Sequence, residues 1–124
     1  MTLLLVMLGA ALGAPSRWLL DQAIQSRRDG VFPLGTWTIN VLGSLLLGLI
    51  LGAAEFGPGT AQLVALAGTG FCGGFTTYST FGVETVRLAE EGSFLEAGLN
   101  IAASLAFGLV AALSGWYLAQ ALWT

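Results

Sequence analysis

Four stretches of this 124-residue chain contain no Asp, Glu, Lys or Arg: Met1–Ser16, Gly30–Ala54, Phe56–Val83 and Ala97–Thr124. A helix needs about 20 residues to cross the hydrocarbon core of a bilayer. Three of the stretches reach that length outright. The first reaches it by including Arg17 at its end, where a long side chain carries its charge to the interface. Only 9% of the residues are charged and 56% are hydrophobic, whereas a soluble domain is about one quarter charged. The chain therefore reads as an all-α integral membrane protein. One domain, residues 1–124, holds four transmembrane helices at approximately 2–22, 33–54, 61–88 and 95–122. Between them lie only turns, marked by Gly30 and Pro33, by Gly57-Pro58-Gly59, and by Glu91-Gly92-Ser93. No Lys or Arg precedes the first apolar run, so it reads as a retained span and not a cleaved leader.

The third run has an unusual interior. Gly70, Gly73 and Gly74 weaken a helix there, and four hydroxyls follow at Thr76, Thr77, Tyr78 and Ser79. A break near the middle of this span is expected over residues 73–79. Unwound backbone in hydrocarbon exposes amides and carbonyls that water cannot reach, at several kcal/mol each. Protein, water or an ion must satisfy them, which points to an ion-handling site.

Other functions lose ground on composition. The net charge is −3 and no basic patch exists, so nucleic-acid binding has no electrostatic support. His is absent, removing the commonest metal ligand and general base together. The single cysteine, Cys72, excludes an intrachain disulfide and a paired-cysteine metal site. Nothing sets a nucleophile beside a base, so no enzyme is expected. With four spans, Arg27, Arg28 and Arg87 fall on the side opposite the termini, and the positive-inside rule would place the termini outside. Three arginines are a weak bias, and insertion in both orientations stays open.

Polar residues inside the spans have two readings. Thr36, Asn40, Ser44 and Gly48 recur every four residues, and Asn100, Ser104, Gly108, Ala111 and Gly115 recur every three or four. Each set shares a helical face. Small residues and hydroxyls on such faces serve close helix packing, as GxxxG pairs such as Gly9–Gly13 and Gly48–Gly52 do. Asn40 brings two N–H donors into a span, and packing and pore lining are equally open for it. Ser104 alone reads as a hydroxyl bonded back to its own helix. Arg17 with Asp21, and Glu84 with Arg87, read as interfacial ion pairs. For Arg17 the alternative is a pore mouth that attracts anions. Trp18, Trp37, Trp116 and Trp123 fall near span ends, as interfacial anchors do.

Three motifs together resemble the Fluc/CrcB fluoride channels. They are Gly13-Ala14-Pro15-Ser16-Arg17-Trp18; Pro33-Leu34-Gly35-Thr36 with Asn40, Gly43 and Gly48; and the run from Gly70 to Phe81 with Glu84. The resemblance covers nearly the whole chain in the family's order and spacing. It implies an antiparallel, dual-topology dimer with two fluoride pores. It also implies a structural, untransported Na+ at the broken third helices, held by the backbone carbonyls of Gly73 and Thr76. The pore phenylalanines fall on Tyr78 and Phe81, the pore asparagine on Asn40 and the fourth-helix hydroxyl on Ser104. Thr77, Ser79 and Arg17 complete the expected pore set. The implied function is passive fluoride export across the cell (inner or plasma) membrane, by a homodimer or by a pair with an oppositely oriented paralogue.

These residue types suit such a role. Fluoride is strongly hydrated, and shedding water requires donors along its path, which Asn and hydroxyl groups supply. Aromatic rings turned edge-on contact an anion without a formal charge. Two positions depart from the family pattern. Tyr78 stands where phenylalanine is usual, and an altered conduction rate is expected from its hydroxyl. Pro15 lies inside the first span, where a kink before Arg17 is expected. The rivals are a proton-coupled fluoride antiporter, with Glu84 as its carrier, and a small multidrug exporter. The latter needs a mid-span carboxylate, and the first span has none before Asp21.

Overall fold

The computed structural model describes residues 2–26, 34–76 and 79–124, with the backbone alone for Gln25, Leu34 and Ser79. Every regular element among these residues is helical: α1 (Thr2–Gln25), α2 (Leu34–Phe56), α3 (Ala61–Leu63), a π-helix π1 (Val64–Cys72), α4 (Gly73–Phe75), α5 (Ser79–Glu90) and α6 (Phe94–Trp123). Three helical stretches, Thr2–Ile24, Gly35–Phe56 and Phe94–Trp123, are long and apolar enough to cross a membrane. Among the described residues, no continuous helical piece between Ala61 and Glu90 is that long. Leucines and phenylalanines cover the outside, with Leu3, Phe94 and Leu105 about 70% exposed. In a bilayer this surface faces lipid at no hydrophobic cost.

The helices associate as two pairs. α1 packs along π1 and α4, and α2 packs along α6. Both contacts are backbone to backbone. A methyl group at Gly9 would lie 2.0 Å from the Leu66 carbonyl oxygen, and one at Gly13 would lie 2.2 Å from that of Phe71. On the other pair, Gly48 faces the Ala112 carbonyl at 2.1 Å and Gly115 faces that of Leu45 at 2.3 Å on the same construction. Glycine at these positions removes the side chain that would hold the helices apart. The GxxxG pairs therefore act in packing, and α1 meets the third segment where that segment is richest in glycine.

Local chemistry sets the ends. Thr60 caps α3 by accepting from the Leu63 amide at 3.1 Å. After α5, Gly92 has φ +82°, and the Ser93 amide donates to the Leu88 carbonyl at 2.8 Å. Such a closure needs a left-handed residue, which glycine supplies without strain. α1 runs past Pro15 without ending. Between Val64 and Cys72 the backbone bonds to the fifth residue along, a wider coil than the α-helix. Helical torsions continue through Gly73–Phe75, and Thr76 is extended at φ −84°, ψ 163°.

Candidate functional site

A cavity of about 480 Å³ lies where α2, π1, α5 and α6 converge. From α2 come Asn40, Gly43, Ser44 and Leu47, spaced so that one helical face forms a wall. π1 gives Gly68, Thr69 and Cys72; Gly73 and Thr76 follow directly. Phe81 closes it from α5, and Ser104 and Leu105 from α6. Residues distant in sequence thus meet around one space, and polar groups punctuate an otherwise apolar lining. The hydroxyls of Ser44 and Thr76 are turned back onto their own helices, donating at 2.8 Å to the carbonyls of Asn40 and Cys72.

Glycines shape this space in opposite ways. Gly43 lets the Thr76 side chain lie against α2, since a methyl there would come within 2.1 Å of Thr76 Cγ2. A methyl at Gly73 would meet nothing within 4 Å. Gly43 is a packing contact; Gly73 opens on free volume.

Five residues singled out in the sequence therefore share the cavity: Asn40, Gly73, Thr76, Phe81 and Ser104. Arg17 is half-buried on α1 and does not line it. Thr77, Tyr78 and the Ser79 side chain lie outside the described residues. Ser104 is not bonded to its own helix backbone; it donates to Asn100 Oδ1 at 3.4 Å. Cys72, Thr69, Leu47 and Leu105 carried no signal of a site, because small and apolar residues are ordinary throughout such spans.

Two buried polar contacts support the walls. The Thr36 hydroxyl donates to Glu84 Oε1, joining α2 to α5 across 48 residues of sequence. Asn100, which is fully buried, donates from Nδ2 to Thr85 Oγ1 at 2.7 Å and joins α6 to α5. A smaller cavity of about 330 Å³ is lined by Asp21, Thr80, Val83, Glu84 and Arg87. Asp21 Oδ1 is buried with no hydrogen-bond partner among the described residues, and Glu84 accepts from the Thr36 hydroxyl while sharing this cavity with Arg87. Trp37 is no free anchor. Its ring meets Phe107 edge-on at 5.4 Å between α2 and α6, as Trp116 meets Phe56 at 5.3 Å.

The family described as CrcB-like protein, Camphor Resistance (CrcB), matches residues 4–116, a span that includes every cavity-lining side chain. The chain belongs to the CrcB family. Among the relatives it resembles is Fluoride-specific ion channel FluC 1 of Streptomyces avermitilis, 53% identical over 123 residues and 99% of both chains. A protein of the same name from Frankia casuarinae is also 53% identical, over 128 residues and 99% of both chains. Fluoride-specific ion channel FluC 2 of Mycobacterium tuberculosis is 44% identical over 115 residues, covering 93% of this chain and 88% of its own. The family match covers residues 4–116 of this chain, and the cavity lies inside that region.

Proposed function

We propose that this chain forms a passive, fluoride-selective channel in the cell membrane. It would let fluoride leave the cytoplasm down its gradient, without ATP, and would be a channel and not an enzyme. The observation that carries the reading is the meeting of Asn40, Phe81 and Ser104 on one cavity, in a chain about half identical to proteins named as fluoride-specific ion channels. An amide and a hydroxyl supply donors, and a phenyl edge supplies a weakly positive surface without a fixed cation. Weak, successive sites suit an ion that must be released as readily as it is bound.

In this proposal the third span crosses the membrane as two helical pieces meeting around Thr76, and two copies assemble in antiparallel orientation. Gly73 and Thr76 would hold a structural Na+ through their main-chain carbonyls. The residues fit such an ion. The torsions of Thr76 turn its carbonyl out of the helical ladder, while Gly73 keeps helical torsions and leaves open space beside the backbone for an ion to approach. Oxygen donors suit hard cations, and among the described residues no cluster of three His, Cys, Asp or Glu competes for one. The ion would neutralise bare carbonyl dipoles at the junction, while fluoride passes along the donors.

The test is fluoride efflux from liposomes that contain this chain alone, with chloride as control. Fluoride should leave when a potassium ionophore removes the opposing voltage, and chloride should stay. A pH gradient should fail to drive fluoride uphill. Uphill movement would favour a proton-coupled antiporter, for which Glu84, bordering the smaller cavity, would be the carrier. Silence from this chain, with flux restored by an oppositely oriented paralogue, would replace the homodimer with a mixed pair.

A further inference from the structure

Hydroxyls inside helices commonly donate to the carbonyl four residues back, which supplies an acceptor where water is absent. Ser16, Ser44, Thr76 and Thr85 all do so at 2.8 Å. Ser104 does not. It reaches the Asn100 side chain at 3.4 Å, a separation at which a hydrogen bond is weak. Asn100 itself has no exposed surface and takes no part in the cavity lining.

The far side of Asn100 explains its orientation. Thr85 commits its only proton to the Phe81 carbonyl at 2.8 Å, so toward Asn100 its oxygen serves as an acceptor. Asn100 must therefore present Nδ2 to Thr85, as it does at 2.7 Å. Its carbonyl oxygen is thereby aimed at Ser104. One chain of hydrogen bonds runs from Ser104 on α6 to the backbone of Phe81 on α5, and both ends border the cavity.

We infer that Asn100 is a positioning residue for Ser104. Held by Thr85, it draws the Ser104 hydroxyl off the main chain into a long, weak hydrogen bond, from which an anion in the cavity recruits its proton. Bonded to its own backbone, the same hydroxyl would give up a full-strength hydrogen bond whenever it turned to the ion. From Asn100 the exchange is closer to balanced, and it reverses as readily, as conduction requires. The inference rests on the fluoride-channel reading and extends it to a residue that no ion touches.

Liposome efflux with Asn100→Leu, Ser104→Ala and the double variant tests this. Each single change should lower fluoride efflux about tenfold, the effect of losing one hydrogen bond to a charged group. The double should be no slower than Ser104→Ala alone, because Asn100 acts only through Ser104. Thr85→Val should follow Asn100→Leu and supplies the same comparison if the latter misfolds, while Thr85→Ser should restore the wild-type rate. If Asn100→Leu or Thr85→Val slows the Ser104→Ala channel by the factor seen in wild type, the effect is general packing and the inference is overturned. Wild-type rates in all four single variants would overturn it equally. Wild-type liposomes that show no fluoride flux, either alone or with an oppositely oriented paralogue, would instead bring down the channel reading, and this inference with it.

Discussion

Asn40→Leu is expected to cut fluoride efflux by about two orders of magnitude while leaving a folded, monodisperse protein. Leucine is close to asparagine in size but brings no donor. Asn40 lies on the α2 wall of a cavity that Leu47 and Leu105 already make apolar. In the proposed channel fluoride entering that space would have given up water, and two of the cavity hydroxyls, those of Ser44 and Thr76, are turned toward main-chain carbonyls. Removing the amide therefore leaves the ion with few donors at its most dehydrated position. An unpaired polar group in an apolar setting costs several kcal/mol, and a small anion pays more. Because Asn40 is only half-buried and leucine is tolerated in a span, the loss should appear in flux and not in thermal stability. Efflux within twofold of wild type, at equal incorporation, would remove Asn40 from the path.

The second large effect is on assembly. Gly48→Val should prevent a stable fold, because any side chain at Gly48 meets the Ala112 carbonyl oxygen at 2.1 Å and its carbon at 2.9 Å. Neither is the end of a flexible side chain. α2 and α6 would have to separate by about 1 Å along their main contact, and overpacking of this kind costs a few kcal/mol. The separation also pulls Asn40 from Ser104, so flux should fail with stability. Gly82→Ala is the matched control, since a methyl there meets nothing within 4 Å. Thermal unfolding in detergent, followed by size-exclusion profile, should show a large loss for the first and no loss for the second. A Gly48→Val protein as stable as wild type would mean that α2 and α6 are not packed this closely.

Much of this was legible from residues alone, for a physical reason. Charge is so costly in hydrocarbon that its absence from four stretches reveals where the chain crosses, and the structure places long apolar helices over three of them. Asn40 and Ser104 stand out because polar groups within a span need a partner. The partners themselves were hidden. Thr36 and Glu84 are 48 residues apart, and nothing local distinguishes their contact from the nearer pairing of Glu84 with Arg87. Asn100 and Ser104 share one stripe in the sequence, yet one is sealed in protein and the other borders the cavity. One-dimensional spacing identifies a face but not which part of it is covered. The π winding from Val64 to Cys72, where the chain packs against α1, had no signature, because small residues permit several coil widths.

The length of α6 has a consequence for how the site responds to its surroundings. Its 30 residues extend about 45 Å, against about 35 Å for the 23 residues of α2. A typical hydrocarbon core is about 30 Å thick, so α6 is accommodated only by tilting or by running its ends into the headgroups. Ser104 rides on that helix, and Asn40 rides on the shorter one packed beside it. Because α2 and α6 are packed backbone to backbone, a thinner bilayer would lean the pair over together, and a thicker one would stand it up. Acyl-chain length would thereby act on the tilt of the wall that carries both Asn40 and Ser104.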